Sequence, residues 1–179
     1  MSNYSPLTIK RINGEIKQFL KMKMTEKNLE NIMIYPNPDN ILEIYFLIKG
    51  DSDSPFNSGE YMCKLIHNPS YPMKAPDYHV LTPNGRFEIN RNICLTNSAF
   101  HQGDWAPAAW NLLTLLSGFY SIWHSTSPED KVGIGHLKKE PDDIIKIASK
   151  SKEYNKLNLT MLYNTITSIS TSTSASVSA

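Results

Sequence analysis

The chain has 179 residues, of which 40% are hydrophobic and 20% charged, and a formal net charge of +1; these are the proportions of one globular domain with a short extension. They exclude collagen, coiled coil and wholesale disorder, and they withhold the strongly basic footprint that nucleic-acid binding demands, so no nucleic-acid partner is expected. The two cysteines, Cys63 and Cys94, are too few for a disulfide scaffold and lack the paired spacing of a structural zinc site, so a reducing, cytoplasmic setting and no metal are expected.

Ser5-Pro6 is a helix start, a hydroxyl cap followed by proline at the first helical position, and Ile12, Ile16, Phe19 and Leu20 follow on one face. Four strand-like runs come next, at 31–35, 41–49, 60–67 and 77–81, separated by PNPDN, GDSDSPFNSG and NPSYPMKAP. Short connectors built from turn formers predict an antiparallel meander, because parallel neighbours need crossovers of about a dozen residues. Residues 82–109 show no sustained period. A connection this long is usually functional, and its apolar members Phe87, Ile89, Ile93, Leu95, Phe100 and Trp105 predict an ordered, packed loop.

AAWNLLTLLSGFYSIW is apolar nearly all round, the pattern of a helix enclosed by the core, and the 14 residues from Trp110 to Trp123 fall short of a membrane span. A polar connector, HSTSPEDKVGIGHLKKE, leads to a helical segment from about Pro141 to Tyr163, whose Asp142 and Asp143 suit the positive end of a helix dipole. Residues 164–179, with ten Ser or Thr among the last fifteen, have the composition of a disordered tail. The fold class is therefore α+β: N-terminal helix, four-stranded antiparallel meander, long loop, buried central helix and C-terminal helices, with a domain over 1–163 and a tail over 164–179.

Cys63 alternates with Tyr61 and Leu65 in the third strand and reads as core. Cys94, in the long loop, has two readings, a nucleophile or a small buried hydrophobe. Acyl transfer by a thiol needs a donor to the oxyanion, which a side-chain amide supplies. Asn84, in TPNGRF, is either that donor or a turn residue before Gly85.

The stretch YPMKAPDYHVLTPNGRFEINRNICLTNSAFHQGDWAPAAWNLLTLLSGF resembles the catalytic half of a ubiquitin-conjugating enzyme: a proline-rich segment, a His-Pro-Asn-like motif, an Ile-Cys-Leu motif, a Trp-x-Pro loop and a buried helix. Upstream, KRINGEI is similar to the family's first helix and DSPFNSGEY to the segment before its third strand, so the resemblance runs from about Pro6 to Leu162. Two positions depart from the pattern. His-Pro-Asn is Thr82-Pro83-Asn84, and a usual proline is Ala75. TPNGRF together with FHQGDWAP is similar to the tail-anchored subfamily of endoplasmic-reticulum quality control; no membrane helix is visible here, and the cytosolic face of that membrane is the expected place of any longer, anchored form.

The resemblance implies that Cys94 accepts ubiquitin, or a related modifier, as a thioester from an activating enzyme and passes it to a lysine of a protein substrate, or to Ser/Thr, with a RING-type ligase. It implies that Asn84 stabilises the oxyanion or orders the loop, and that Glu129 and Asp130 help deprotonate the lysine. Lys10 and Arg11 match the surface that meets the activating enzyme and ligases, and Met73, Ala106 and Pro107 match the ligase-contacting loops. No bound cofactor is implied, ATP being used by the activating enzyme. Two rival readings keep the residues and change the role: a non-catalytic ubiquitin-binding scaffold of the same fold, or a cysteine hydrolase pairing Cys94 with His101 or His124.

Overall fold

The computed structural model describes residues 4–175 except 126 and 128–131. Helix α1 (Pro6–Lys23) begins as its sequence predicts: the Ser5 side chain accepts from the Thr8 N–H at 3.1 Å, with Pro6 in the first turn. It buries Thr8, Ile12, Glu15, Ile16 and Phe19, whereas Leu20 turns to solvent. The strands β1 (Ile32–Pro36), β2 (Glu43–Lys49), β3 (Glu60–Ile66) and β4 (Asp77–Val80) form one antiparallel sheet in chain order. The predicted meander is what forms.

Alternation along the strands separates two apolar layers. Ile34, Phe46, Cys63 and Val80 follow one another across the sheet and enter the main core, where they meet α1 and the buried faces of the later helices. Met33, Leu47 and Met62 form the neighbouring cross-strand row and face the other way. Helix α2 (Leu112–His124) opens with a capping box between Asn111 and Thr114 and buries Leu115, Leu116, Phe119 and Trp123. Buried Glu15 ties its start to α1. Its carboxylate accepts from the Leu112 N–H at 2.8 Å and from the Tyr71 hydroxyl, and pairs with Arg11.

The C-terminal region departs from the sequence reading in two ways. The single helix expected to Tyr163 is two: α3 (Pro141–Asn158) stops at Leu159, whose backbone is non-helical at φ −128°, ψ 30°, and α4 (Thr160–Ala175) follows it. Side chains of Asn158 and Thr160 bond back to carbonyls four residues earlier, the local competition that interrupts helices rich in such residues. The segment expected to be a disordered tail is instead helical to Ala175. Tyr163 and Ile166 are buried against Met33, Leu47 and Met62, so α4 covers the outer face of the sheet. A Ser/Thr-rich helix unable to fold alone is held by an apolar surface that composition cannot display. Among the described residues no helix is long and apolar enough to cross a membrane.

His67, nearly inaccessible, keeps Nδ1 3.1 Å from the Leu42 carbonyl, and burial pushes its pKa down to about 4. The unfolded chain, with an ordinary imidazole near 6.5, binds the proton first as pH falls. Stability contributed by neutral His67 is therefore complete above about pH 6.5 and lost towards pH 4, by on the order of 3 kcal/mol. Urea unfolding of wild type and His67→Gln between pH 7 and pH 4 should give a flatter pH dependence in the variant.

Candidate active site

The long loop is built around the free edge of β4. The Asn90 N–H donates to the Val80 carbonyl at 2.8 Å and the Ile93 N–H to Tyr78 at 3.1 Å, so the chain approaching Cys94 runs along the sheet edge. Ile93 and Leu95 are buried at 0% and 4% exposure while Cys94 between them is partly exposed. The two neighbours anchor the backbone and leave the thiol at the surface, which favours the nucleophile over the buried hydrophobe. Cys63 is the opposite case. It is fully buried in the main core, and burial pushes its thiol pKa well up.

A segment after α2, absent from the sequence-based site, holds the Cys94 backbone from the other side. The Cys94 N–H donates to the Ile134 carbonyl at 2.9 Å, and His136 Nε2 lies 2.9 Å from the Cys94 carbonyl oxygen. Gly133 and Gly135, both at positive φ, make this approach possible. A Cβ on Gly135 would stand 2.9 Å from the Asn92 carbonyl oxygen, and one on Gly133 3.5 Å from Cys94 Cβ. The signal was present as Gly-Ile-Gly-His, but its partner lies 42 residues away.

Asn84 is buried, and its side chain is spent inside its own turn. Oδ1 accepts from the Arg86 and Phe87 N–H groups at 2.7 Å each, while Nδ2 donates to the Thr82 and Phe87 carbonyls at 3.0 Å each. Both amide protons are committed, so donation to an oxyanion would require breaking one of these bonds. Of the two roles implied for Asn84, the geometry matches loop ordering. Thr82, standing where the family has histidine, points elsewhere: its hydroxyl accepts from the Met62 N–H at 2.9 Å and donates to Asn155 Oδ1, linking β3 to α3.

Of the two histidines considered as partners of Cys94, the structure brings one. His101 Nε2 lies 3.2 Å from Cys94 Sγ, and its Nδ1 faces Asp104 Oδ2 at 3.8 Å. His124 is engaged elsewhere, with Nε2 accepting from the Asp51 N–H and Nδ1 bonded to the Tyr120 carbonyl. Glu129 and Asp130 lie outside the described residues. Among the described residues no group of three or more His, Cys, Asp or Glu is arranged to hold a metal ion.

The residues expected on partner surfaces belong to segments that are bonded to one another. Arg11 donates to the Trp110 carbonyl at 3.0 Å and the Pro107 carbonyl at 3.4 Å, and Trp105 Nε1 donates to Pro72 at 2.7 Å, locking α1 and the 70–74 and 105–110 loops together. Met73 is 68% exposed, with Lys10 and Ala106 also exposed and Pro107 half-buried. A shallow groove beside them is lined by Leu7, Lys10, Arg11, Gln18, Ala108 and Asn111.

Residues 11–161 match the family model described as ubiquitin-conjugating enzyme. The chain belongs to the ubiquitin-conjugating enzyme family. Among its relatives, the ubiquitin-conjugating enzyme E2 J2-like protein of Dictyostelium discoideum is 33% identical over 138 residues, covering 77% of this chain and 78% of that protein. Ubiquitin-conjugating enzyme E2 6 of Eremothecium gossypii is 35% identical over 146 residues, 82% of this chain and 56% of its own length. Ubiquitin-conjugating enzyme E2 34 of Arabidopsis thaliana is 35% identical over 120 residues, 67% of this chain and 48% of its own length. Against the last two, the ubiquitin-conjugating chain spans about half of the relative. Members of the family are transferases that work through a cysteine thioester, and the names E2 6 and J2-like agree with the subfamily resemblance carried by TPNGRF and FHQGDWAP.

Proposed function

We propose that this chain accepts ubiquitin, or a ubiquitin-like modifier, as a thioester on Cys94 from an activating enzyme and transfers it, with a RING-type ligase, to lysine or Ser/Thr of protein substrates on the cytoplasmic side. The observation that carries this reading is the partly exposed Cys94 thiol, anchored between buried Ile93 and Leu95 inside the matched family region. Transthiolation exchanges nearly matched thioesters and needs little activation, since a thiol is intrinsically nucleophilic. The scaffold reading has no use for a thiol presented in this way. The test is incubation with an activating enzyme, ATP and ubiquitin; a covalent adduct removed by a thiol reductant is expected, and its absence overturns the proposal.

The face carrying Met73 and Pro107 is the proposed ligase surface, with Ala106 beside them and Lys10 and Arg11 shared with the activating enzyme. An exposed apolar side chain on loops pinned by Trp105 and Arg11 is a rigid anchor for a partner. Met73→Glu or Pro107→Glu should lower the ratio of ligase-stimulated to ligase-free discharge by about tenfold or more. The same loss in both reactions would show that these residues support the active-site loop instead.

A further inference from the structure

We propose that an apolar rim around Cys94, with Ile89, Val132 and Ile134 on one flank and Phe100 on the other, binds the acceptor polypeptide and selects hydroxyl acceptors that have large apolar neighbours in their own sequence. This preference rests on the thioester reading of Cys94 and names the class of acceptor for that same site.

The loops build the rim. Phe87 and His136 pair in an antiparallel bridge, the Glu88 N–H donating to the Gly135 carbonyl and the Leu137 N–H to the Arg86 carbonyl, and the same register brings Ile89 opposite Ile134. The Ile134 carbonyl in turn accepts from the Cys94 N–H at 2.9 Å. Gly133, between Val132 and Ile134, is so near that a Cβ there would stand 3.5 Å from Cys94 Cβ. On the other flank the short 3-10 segment Ala99–Asp104 leaves the helical region at His101, φ −117° and ψ 47°. The His101 ring stands 3.2 Å from Sγ, and Phe100 is its chain neighbour. Val132 is 65% exposed, Ile134 47%, Phe100 42% and Ile89 40%. Apolar side chains scattered singly over a surface need no explanation, but four gathered around one reactive sulfur mark a contact surface.

The acceptor is the occupant that has to cross this rim. Acyl transfer requires the attacking atom at about 3–3.5 Å from the acyl carbon, which is one bond from Sγ. A serine oxygen is two bonds from its own Cα, and successive Cα atoms are about 3.8 Å apart. The residues beside an acceptor serine are therefore held over the rim during attack. An acceptor inside a polypeptide has chain on both sides of the reacting residue and meets both flanks, whereas a modifier joined to sulfur through a terminal carboxyl departs in one direction. Apolar area that leaves water in this encounter supplies the selectivity. Lysine carries its amine on a four-carbon stem and keeps its backbone further from the rim. The preference is therefore strongest for hydroxyl acceptors.

The test uses purified ubiquitin thioester of wild type, Val132→Ser and Phe100→Ser in single-turnover discharge to two end-blocked peptides, Gly-Leu-Ser-Leu-Gly and Gly-Gly-Ser-Gly-Gly, and to the same pair with lysine at the centre. Wild type is expected to discharge to the leucine-flanked serine peptide about fivefold faster or more than to the glycine-flanked one, with a smaller ratio for lysine. Each substitution should bring the serine ratio towards one, and Phe100→Leu and Val132→Ile should restore it. Each ratio is taken within one thioester, so differences in the reactivity of Cys94 cancel. A wild-type serine ratio near one, a ratio unchanged by both substitutions, an equal preference with lysine, or wild-type discharge to serine no faster than hydrolysis overturns the acceptor surface. Slower loading of the variants with an unchanged ratio assigns the rim to the modifier and likewise overturns it. Failure of wild type to form any thioester overturns the transfer reading itself and is recognised before discharge is measured.

Discussion

Cys94→Ala is expected to abolish the reductant-sensitive ubiquitin adduct, and Cys63→Ala to retain it. The two thiols differ in what surrounds them: Cys94 is partly exposed on an anchored loop, while Cys63 is fully buried in the sheet, where loss of solvation disfavours a thiolate. Removing the Cys63 sulfur leaves a small void in a packed core and should cost about 1 kcal/mol, visible as a lowered melting temperature. Loading assays resolved on non-reducing gels, run on both variants, check the assignment. An adduct that persists in Cys94→Ala would move the acceptor elsewhere.

Asn84→Ala should destabilise the protein by about 3 kcal/mol and lower loading and discharge together. Four backbone groups, the Arg86 and Phe87 N–H and the Thr82 and Phe87 carbonyls, lose their partner in a buried turn. Each such orphan costs about 1–3 kcal/mol before relaxation and entry of water reduce the sum. For a chain of this size the loss corresponds to roughly 6–12 °C in melting temperature. An oxyanion donor would behave differently: discharge would fall by about 10²–10³-fold with little change in melting, and loading would suffer less. Thermal melts beside single-turnover discharge separate the two, and the committed amide protons favour the first outcome.

The order of elements, the antiparallel meander and the inward Cys63 were legible in the chain, as was the family, whereas Cys94 kept two readings until the structure showed it partly exposed. Each depends on local information. Alternation at period two decides which face of β3 is buried, turn residues decide where strands stop, and Ile-Cys-Leu places two apolar anchors beside one thiol. The same reasoning misread residues 164–175 because composition says whether a segment can fold alone, not whether a neighbour will hold it. Tyr163 and Ile166 find the Met33–Leu47–Met62 row only after three strands have aligned in register.

The chemistry around Cys94 was decided by the tertiary structure. A buried polar side chain satisfies its hydrogen bonds with whatever the fold brings near, so sequence could name Asn84 and leave two roles open, while only the folded turn shows that both of its amide protons are taken. It could offer His101 and His124 equally. The bend at His101 and the Asp51 and Tyr120 partners of His124 chose between them. His136 and its flanking glycines reach Cys94 from 42 residues further along the chain. Periodicity records which side of an element is buried; it holds no record of which distant group will face it, because that depends on how the loop closes on the sheet.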